Sequence, residues 1–591
     1  MHLYEPPVSD FQFIIHKLLK VQNLNIKGYS DLSPDFTKPI FEEAGKLARE
    51  ELAPINISGD REGCILENGV VRTPKGFKEA FLKVNSGGWT GIDCDPEFGG
   101  QGMPHVISLV IGEMFCSANM ALNMYHGLTH GAYSAIYQHG NKEQKSTYLP
   151  NLVNCKWTGT MNLTEPHCGT DLGLIKTKAQ KSHDGSYQIT GQKIFISAGD
   201  HDLSENIIHL VLAKIPGSPE GVKGISMFIV PKFLINEDGS LGERNTLSVS
   251  KIEEKMGIHG NSTCVMNYDG AKGFLISEEN KGLRAMFTMM NEARLGVGLQ
   301  GIGQAEAAYQ RAAAYAKERL QGKDISKKDG SKNADPIIQH PDIRRTLMDQ
   351  KVFIEAARAL ALWCATMLDF AEREGDKESE GLASLLIPVV KGFITDKGFE
   401  STINSQQVFG GHGYIEEWGM SQFARDARIA MIYEGTNGIQ ALDLVGRKLS
   451  SDGGKHTVRF LKEIKDFINE NKEDDRIAEN FITPLNNALK DAEKCLEFFM
   501  KEGLNNPNQA LAGATDFMHL MGYLALGFMW ARMVKVALDE LAQSKKEDAL
   551  LNAKVSSGRY FFRRHLPETS LRKERVLNGS EDMMELRVED F

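Results

Sequence analysis

Glu434 lies in a stretch, residues 428–440, whose composition suits acid–base chemistry. The apolar residues 429–432 and then Tyr433 precede it, and Gly435 and Thr436 follow it. Apolar neighbours disfavour the charged form of a carboxylate and so raise its basicity. The pattern predicts a proton-abstracting base beyond the end of a helix. An exposed glutamate at a helix end would show the same letters, so the remaining motifs must decide.

Several segments accompany this glutamate in a fixed order. They are Met-Asn-Leu-Thr-Glu-Pro-His-Cys-Gly-Thr-Asp at 161–171, Phe-Ile-Ser at 195–197, Asn-Glu-Ala-Arg at 291–294, Lys-Glu-Arg at 317–319, Gln-Val-Phe-Gly-Gly-His-Gly-Tyr at 407–414 and Tyr-Glu-Gly-Thr at 433–436. Together they resemble the motifs of the acyl-CoA dehydrogenase family, from about residue 40 to 450. The resemblance implies an FAD-dependent enzyme that converts an acyl-CoA thioester to the trans-2-enoyl-CoA.

The same resemblance assigns the catalytic residues. Glu434 corresponds to the base that removes the α-proton, and Arg294 to the arginine near the active site. In some members the base directly precedes that arginine, but this position is Ala293. Glu292 is one residue further back, about 100° around a helix, and should point elsewhere. Glu434 is therefore the expected base.

Binding roles also follow from the resemblance. The residues expected to contact FAD are Met161, Leu163, Thr164, Gly169, Thr170, Phe195, Ser197, Arg319, Gln407, Gly410, Gly411 and Thr436. Those expected to contact the acyl-CoA are Thr170, Asn291, Arg294, Tyr433 and Gly435. Phe195 would cover one flavin face, Arg319 would pair with the pyrophosphate, and Gln407 would reach the FAD of a neighbouring subunit. Asn291 replaces the family's aspartate.

Composition bounds the possible functions. A chain of 591 residues requires several domains, and its 41% apolar and 25% charged residues are ordinary for a globular protein. The net charge of -10 argues against a nucleic-acid partner. Eight cysteines without a CxxC pair predict neither a metal site nor disulfides, and they fit a reducing cytoplasm. The N-terminus has no signal-peptide pattern.

Periodicity predicts a multidomain α+β architecture. The expected parts are a leader at 1–38, an N-terminal α-helical domain at 39–155, a middle β-domain at 156–276, a C-terminal α-helical domain at 277–450 and an appended helical domain at 451–591. Residues 107–124 should form one apolar helix, whose methionines are core or line an acyl pocket. The apolar run 517–531 is too short to span a membrane and should be a buried helix.

Three parts of the chain resemble the large bacterial branch of the family, which includes enzymes acting on 3-(methylthio)propanoyl-CoA. They are the leader, residues 256–268 and the appended domain 451–591, called the extension below. Membership implies electron transfer to an electron-transferring flavoprotein and a homo-oligomer, a dimer in this interpretation. The extension could support such a dimer or contact a membrane surface. Two alternatives remain at this stage: an acyl-CoA oxidase, and a DNA-binding flavoprotein of the same fold without activity.

Overall fold

The structure is a computed structural model that describes residues 4–326, 334–543 and 547–591. The chain divides into two compact units: Glu43–Gly296 forms one, and Met1–Glu42 together with Val297–Phe591 forms the other. The lysine- and aspartate-rich stretch 324–335, which its composition predicts to be a solvated loop, lies mostly outside the described residues.

Helices open the unit formed by residues 43–296. The helices that precede the sheet are α1 Val8–Gln12, α2 Pro34–Leu47, α3 Asn56–Glu62, α4 Phe77–Ser86, α5 His105–Ala118, α6 Met120–His139 and α7 Lys142–Val153. Of these, α1 lies in the leader, and α2 begins in the leader and continues into this unit. The prediction of one helix over 107–124 was wrong. Asn119 is extended (φ −158°, ψ 90°), and its side chain accepts the N–H of Leu122 at 3.1 Å, which starts a new helix.

A short hairpin also interrupts the predicted helical pattern of this region. Strands β1 Ile65–Glu67 and β2 Val70–Arg72 pair antiparallel. Asn68 and Gly69 connect them with φ of 51° and 75°. Asn-Gly is the sequence that a two-residue hairpin turn favours, because both positions require positive φ.

A seven-stranded mixed sheet follows, as the period-two pattern predicted. The strands after the hairpin are β3 Trp157–Asn162, β4 Lys178–Lys181, β5 Tyr187–Ser197, β6 Asn206–Lys214, β7 Ile225–Pro231, β8 Phe233–Ile235, β9 Leu241–Arg244, β10 Leu247–Ile252 and β11 Thr263–Ile276. Strands β8 and β9 pair with each other in a separate hairpin, and the other strands of this set form the sheet. The sheet has the order β10-β11-β5-β4-β6-β3, and β7 pairs with β11 and β6. Strand β5 runs without a break from Tyr187 to Ser197.

Long helices build the unit that contains residues 297–591. They are α8 Gly282–Glu318, which begins in the other unit, α9 Pro341–Glu374, α10 Lys377–Val408, α11 Met420–Ile429 and α12 Asn437–Asp443. The leader packs into this unit with its apolar side chains, since Phe11, Ile14, Ile15, Leu18 and Leu19 are all at most 7% exposed.

The C-terminal extension is helical, as predicted. Its helices are α13 Lys455–Asn471, α14 Thr483–Phe498, α15 Pro507–Ala512, α16 Ala514–Gln543, α17 Ala549–Arg564, α18 Glu568–Leu577 and α19 Glu581–Glu585. Phe460, Ile464 and Ile468 form the buried face of α13, whereas Val458 is exposed.

Helix α16 is the one described helix long and apolar enough to cross a membrane. Of its most apolar window, 83% is buried inside the protein. The core helix of a globular protein has the same properties, so the prediction of a buried helix is confirmed.

Candidate active site

In the unit of residues 43–296, the loop 161–171 and the strand residues 195–197 are brought together. Lys193, on β5 two residues before Phe195, donates to the carbonyl of Leu163 at 2.9 Å and to Glu165 at 2.8 Å. The N–H of Ile194 donates to the carbonyl of Thr164 at 2.9 Å. The loop is thus fastened directly to the strand that carries Phe195 and Ser197.

Glu165 is the buried centre of this fastening. Besides Lys193, it accepts the hydroxyl of Thr177 at 2.6 Å and the N–H of Lys176 at 2.7 Å. Burial opposes ionisation of the carboxyl, but the charge of Lys193 and these donors hold the pKa of Glu165 below its ordinary value. Burial of Lys193 lowers the pKa of its ammonium group. The result is a charged, fully hydrogen-bonded pair beneath the loop.

Some residues of this loop and strand are exposed, and others are half-buried. Phe195 is 60% exposed and has a φ of 60°, in the left-handed region that large residues rarely adopt. Gly169 and Thr170 are exposed, and Met161, Leu163, Thr164 and Ser197 are half-buried. An aromatic ring presented on a strained backbone beside small loop residues is a surface suited to a flat ligand.

Helix α8 carries the Asn-Glu-Ala-Arg motif. Arg294 is buried and Asn291 exposed. Glu292 points elsewhere, as predicted: it pairs with Nδ1 of His130, whose Nε2 lies 2.8 Å from Asp93. Burial would lower the pKa of His130, but the two carboxylates raise it well above its ordinary value. This half-buried ion group was not predicted.

In the other unit, Glu434 lies on the turn between α11 and α12. Its φ of 56° is left-handed, and Gly435 continues with a φ of 83°. A left-handed conformation costs a non-glycine residue about 1–2 kcal/mol, and such strain persists only where surrounding contacts enforce it. Thr436 then caps α12 by accepting the N–H of Ile439 at 3.3 Å.

Three polar side chains enforce this turn. Gln440 donates to the carbonyl of Glu434 at 3.1 Å. Lys391, fully buried on α10, donates to the carbonyl of Gly435 at 2.7 Å and to the side chain of Asn437 at 2.8 Å. Tyr433, which precedes the glutamate, donates to Gln300 on α8. The backbone on both sides of Glu434 is therefore fixed.

Tyr315 joins two further motifs of this unit. Its ring stacks on Phe409 at a centroid distance of 4.1 Å, and its hydroxyl lies 2.8 Å from Nδ1 of His412. Arg319 follows one turn later, exposed just beyond the end of α8. Tyr315 thus joins the end of α8 to the glycine-rich loop 407–414.

Four family models match the chain in succession. They are described as the acyl-CoA dehydrogenase N-terminal domain (residues 37–156), middle domain (160–271) and C-terminal domain (280–449), and as acetyl-CoA dehydrogenase C-terminal like (460–587). The 3-methylmercaptopropionyl-CoA dehydrogenase of Ruegeria pomeroyi is 41% identical, over 98% of this chain and 99% of that protein. The chain belongs to the acyl-CoA dehydrogenase family.

Other relatives extend over the whole length too. The broad-specificity linear acyl-CoA dehydrogenase FadE5 of Mycobacterium tuberculosis is 32% identical over 99% of both chains. The crystal structure of Caenorhabditis elegans ACDH-11 in complex with C11-CoA has a TM-score of 0.81, covers 99% of this chain and 95% of its own, and is 18% identical. At that identity the structure supports the fold alone. The multidomain helical and β architecture predicted from the sequence is confirmed.

The protein is therefore an acyl-CoA dehydrogenase that requires FAD and oxidises acyl-CoA thioesters. The exposed surfaces described above fit this cofactor. Gly410 and Gly411 have no atom within 4 Å of where a Cβ would lie, so backbone amides there are open to a ligand. Phe195 offers an aromatic face, and Arg319 a guanidinium for a pyrophosphate.

Lys193, Lys391 and Tyr315 support the dehydrogenase motifs, and sequence reasoning missed all three. Signals for the two lysines existed. Lys193 falls on the inward positions of an alternating strand, in step with the buried Tyr187 and Ile189. Lys391 is the one charge within the otherwise apolar run 385–394.

Proposed function

We propose that Glu434 is the catalytic base of this dehydrogenase. The observation that supports the role is the turn itself: a glutamate in a left-handed conformation, with hydrogen bonds to its own carbonyl and to that of Gly435. A base held in place spends little entropy on reaching the α-proton. Its backbone N–H and the buried Arg294 complete the proposed catalytic set.

The remaining site residues keep the roles that the family motifs imply. Met161, Leu163, Thr164, Gly169, Thr170, Phe195, Ser197, Arg319, Gln407, Gly410, Gly411 and Thr436 contact FAD; Thr170, Asn291, Arg294, Tyr433 and Gly435 contact the thioester. FAD, when bound, accepts the hydride from the β-carbon. The protein's own residues remove the α-proton, hold the thioester carbonyl and orient the acyl chain.

The proposed substrate is a short or medium acyl-CoA, with 3-(methylthio)propanoyl-CoA as the first candidate. The Ruegeria pomeroyi relative, matched over nearly its whole length, supports this choice. A thioether and a methylene have similar bulk, and one methylene discriminates by only about 1–3 kcal/mol. Butanoyl-CoA and 3-(methylthio)propanoyl-CoA should both be accepted.

The proposal has cellular and quaternary parts. The enzyme is a cytoplasmic homodimer that passes its electrons to an electron-transferring flavoprotein. Its five functional parts, from the leader to the C-terminal extension, meet at about residues 38, 155, 276 and 450. Eight free cysteines, seven of them buried, fit a reducing compartment.

Anaerobic titration with a panel of acyl-CoAs tests both base and substrate, with flavin bleaching as the signal. Glu434→Gln keeps the shape but removes the base, so flavin reduction should slow by at least about 10²–10⁴-fold while FAD stays bound. The exposed Glu417→Gln serves as the matched control.

Each outcome addresses one part of the proposal. Near-normal reduction in Glu434→Gln rejects this base. A maximum at long saturated chains, with no turnover of the thioether, rejects the substrate but leaves the base intact. Rapid oxygen consumption during turnover would indicate an oxidase instead of transfer to a flavoprotein.

A further inference from the structure

A chain of polar contacts connects the C-terminal extension to the turn that carries Glu434. His519, on α16, lies with Nε2 2.8 Å from one oxygen of Asp396, on α10. The other oxygen of Asp396 accepts the side-chain amide of Asn437 at 2.6 Å. The amide oxygen of Asn437 accepts Lys391, which in turn donates to the carbonyl of Gly435.

Close packing fixes the two helices against each other at this point. A Cβ on Gly392 would lie 2.3 Å from the sulfur of Met518, and one on Gly522 would lie 2.3 Å from the ring of Phe393. The ring of His519 meets Phe393 edge-on, with centroids 5.3 Å apart. The two helices are therefore closely packed where His519 meets Asp396.

The ring of His519 acts as a donor here. Its Nδ1 is buried and has no hydrogen-bond partner in the described parts of the chain. Of the two nitrogens, only Nε2 faces an acceptor, so the tautomer with the proton on Nε2 satisfies the ring best. His519 then gives Asp396 a donor that no residue of α10 supplies in the contacts described above.

Asn437 needs Asp396 in a defined orientation. Its amide nitrogen also donates to the carbonyl of Gly392 at 3.0 Å and lies 2.9 Å from the hydroxyl of Thr395. These contacts turn its oxygen towards Lys391. If Asp396 rotated away, Asn437 would lose its shortest contact, and Lys391 would lose a fixed partner beside Gly435.

We infer that His519 is a positioning residue for the dehydrogenation: through Asp396, Asn437 and Lys391 it holds the strained turn that places Glu434. The extension thereby supports the chemical step as well as the fold. This inference rests on the proposed role of Glu434 as the base.

The test compares His519→Phe with His519→Gln in the full-length holoenzyme. Phenylalanine keeps the aromatic packing on Phe393 and removes the donor, whereas the glutamine amide can replace Nε2. The matched control is His565→Phe, because Nε2 of His565 lies 2.9 Å from Asp349 and makes a similar histidine–aspartate pair between the extension and α9.

Stopped-flow flavin reduction by butanoyl-CoA, FAD content and the melting temperature are measured for each variant. A misplaced base costs up to about 10²-fold, so His519→Phe should reduce flavin at least about 10-fold more slowly, with unchanged FAD content and KM. His519→Gln should recover most of the rate. The melting temperature of His565→Phe should fall about as much as that of His519→Phe, but its rate of flavin reduction should stay unchanged.

Asp396→Asn provides a second variant, since it keeps the size but cannot accept from both partners. Two results would overturn the inference. Flavin reduction could slow as much in His565→Phe as in His519→Phe, or it could keep its normal rate in both His519→Phe and Asp396→Asn. Glu434→Gln in the same assay separates the two proposals. If it reduces flavin normally, the base assignment fails; if it alone is slow, only the role of His519 fails.

Discussion

At the scale of single residues, two buried lysines hold the backbone on which the proposed site depends. Lys193 fastens the loop 161–171, and Lys391 fastens the turn at Gly435. Neither ammonium group faces solvent. A buried ion is costly unless its partners surround it, so removal of either side of such a pair has a large effect.

Lys193→Met should therefore destabilise the protein and loosen FAD. The substitution leaves the Glu165 carboxylate buried without its cation, which costs on the order of 3–5 kcal/mol. Melting temperature and flavin absorbance per chain should both fall, and Lys193→Met combined with Glu165→Gln should recover part of the stability. Lys178→Met, at an exposed position of β4, is the control. Unchanged FAD content in Lys193→Met would show that the loop needs no such fastening.

The residues that touch ligands were easier to predict than the residues that hold them. Glu434 and Phe195 carry motif letters, but their left-handed backbone, with φ of 56° and 60°, leaves no mark in those letters. Lys391 and Asn437 gain their roles from contacts between positions 42 to 46 residues apart. Sequence spacing along one element cannot report such contacts.

At the scale of elements, α8 and the end of α10 present one surface. Tyr315, one helical turn before Arg319, stacks on Phe409, which follows Gln407 by two residues. If Gln407 reaches the FAD of a neighbouring subunit, Arg319 should reach that same FAD.

Co-expressed mixed dimers can test this arrangement. Pairing an Arg319→Ala chain with a Gln407→Ala chain should leave each site with one defect and recover no FAD binding. Pairing Arg319→Ala with Lys193→Met should instead place both defects in one site and leave the other intact. FAD per dimer is the measurement, with each single variant as reference. Recovery in the first pairing would place Arg319 and Gln407 on different cofactors.

Secondary-structure elements were predicted well where an apolar periodicity extends over many residues. They were predicted poorly where a single residue sets the boundary of an element. The alternating pattern of residues 156–276 predicted a β-domain, and a seven-stranded sheet forms there. The break at Asn119 and the hairpin at Asn68 were missed, although the Asn-Gly pair of the hairpin is a turn signal that the sequence shows. In each case a single asparagine supplied the cap or the turn.

At the scale of the whole molecule, one buried ion group connects the leader, the family core and the extension. Asp10 of the leader pairs with Arg358 of α9 at 2.6 Å and with Lys554 of α17. Arg358 also pairs with Glu306 of α8, and Lys554 with Glu355 of α9. No periodic pattern predicts this group, since its members are up to 544 residues apart in the chain.

The group should make stability depend on acid pH. Burial opposes ionisation of Asp10, but Lys554 and Arg358 lower its pKa from 3.8 to about 2. A carboxyl whose pKa is depressed by folding stabilises the protein above its unfolded pKa, and this contribution disappears as the pH falls from about 4 towards 2. At 1.36 kcal/mol per unit, it amounts to roughly 2 kcal/mol.

Asp10→Asn should consequently unfold more easily than the natural protein at pH 7, where Lys554 and Arg358 lose a charged partner. The difference in the free energy of unfolding should shrink between pH 4 and pH 2, because the natural carboxyl becomes neutral there as well. Urea denaturation across this range measures it, with the exposed Asp35→Asn as a control that shows no such trend. A difference that stays constant with pH would mean that Asp10 acts through packing and not through its charge.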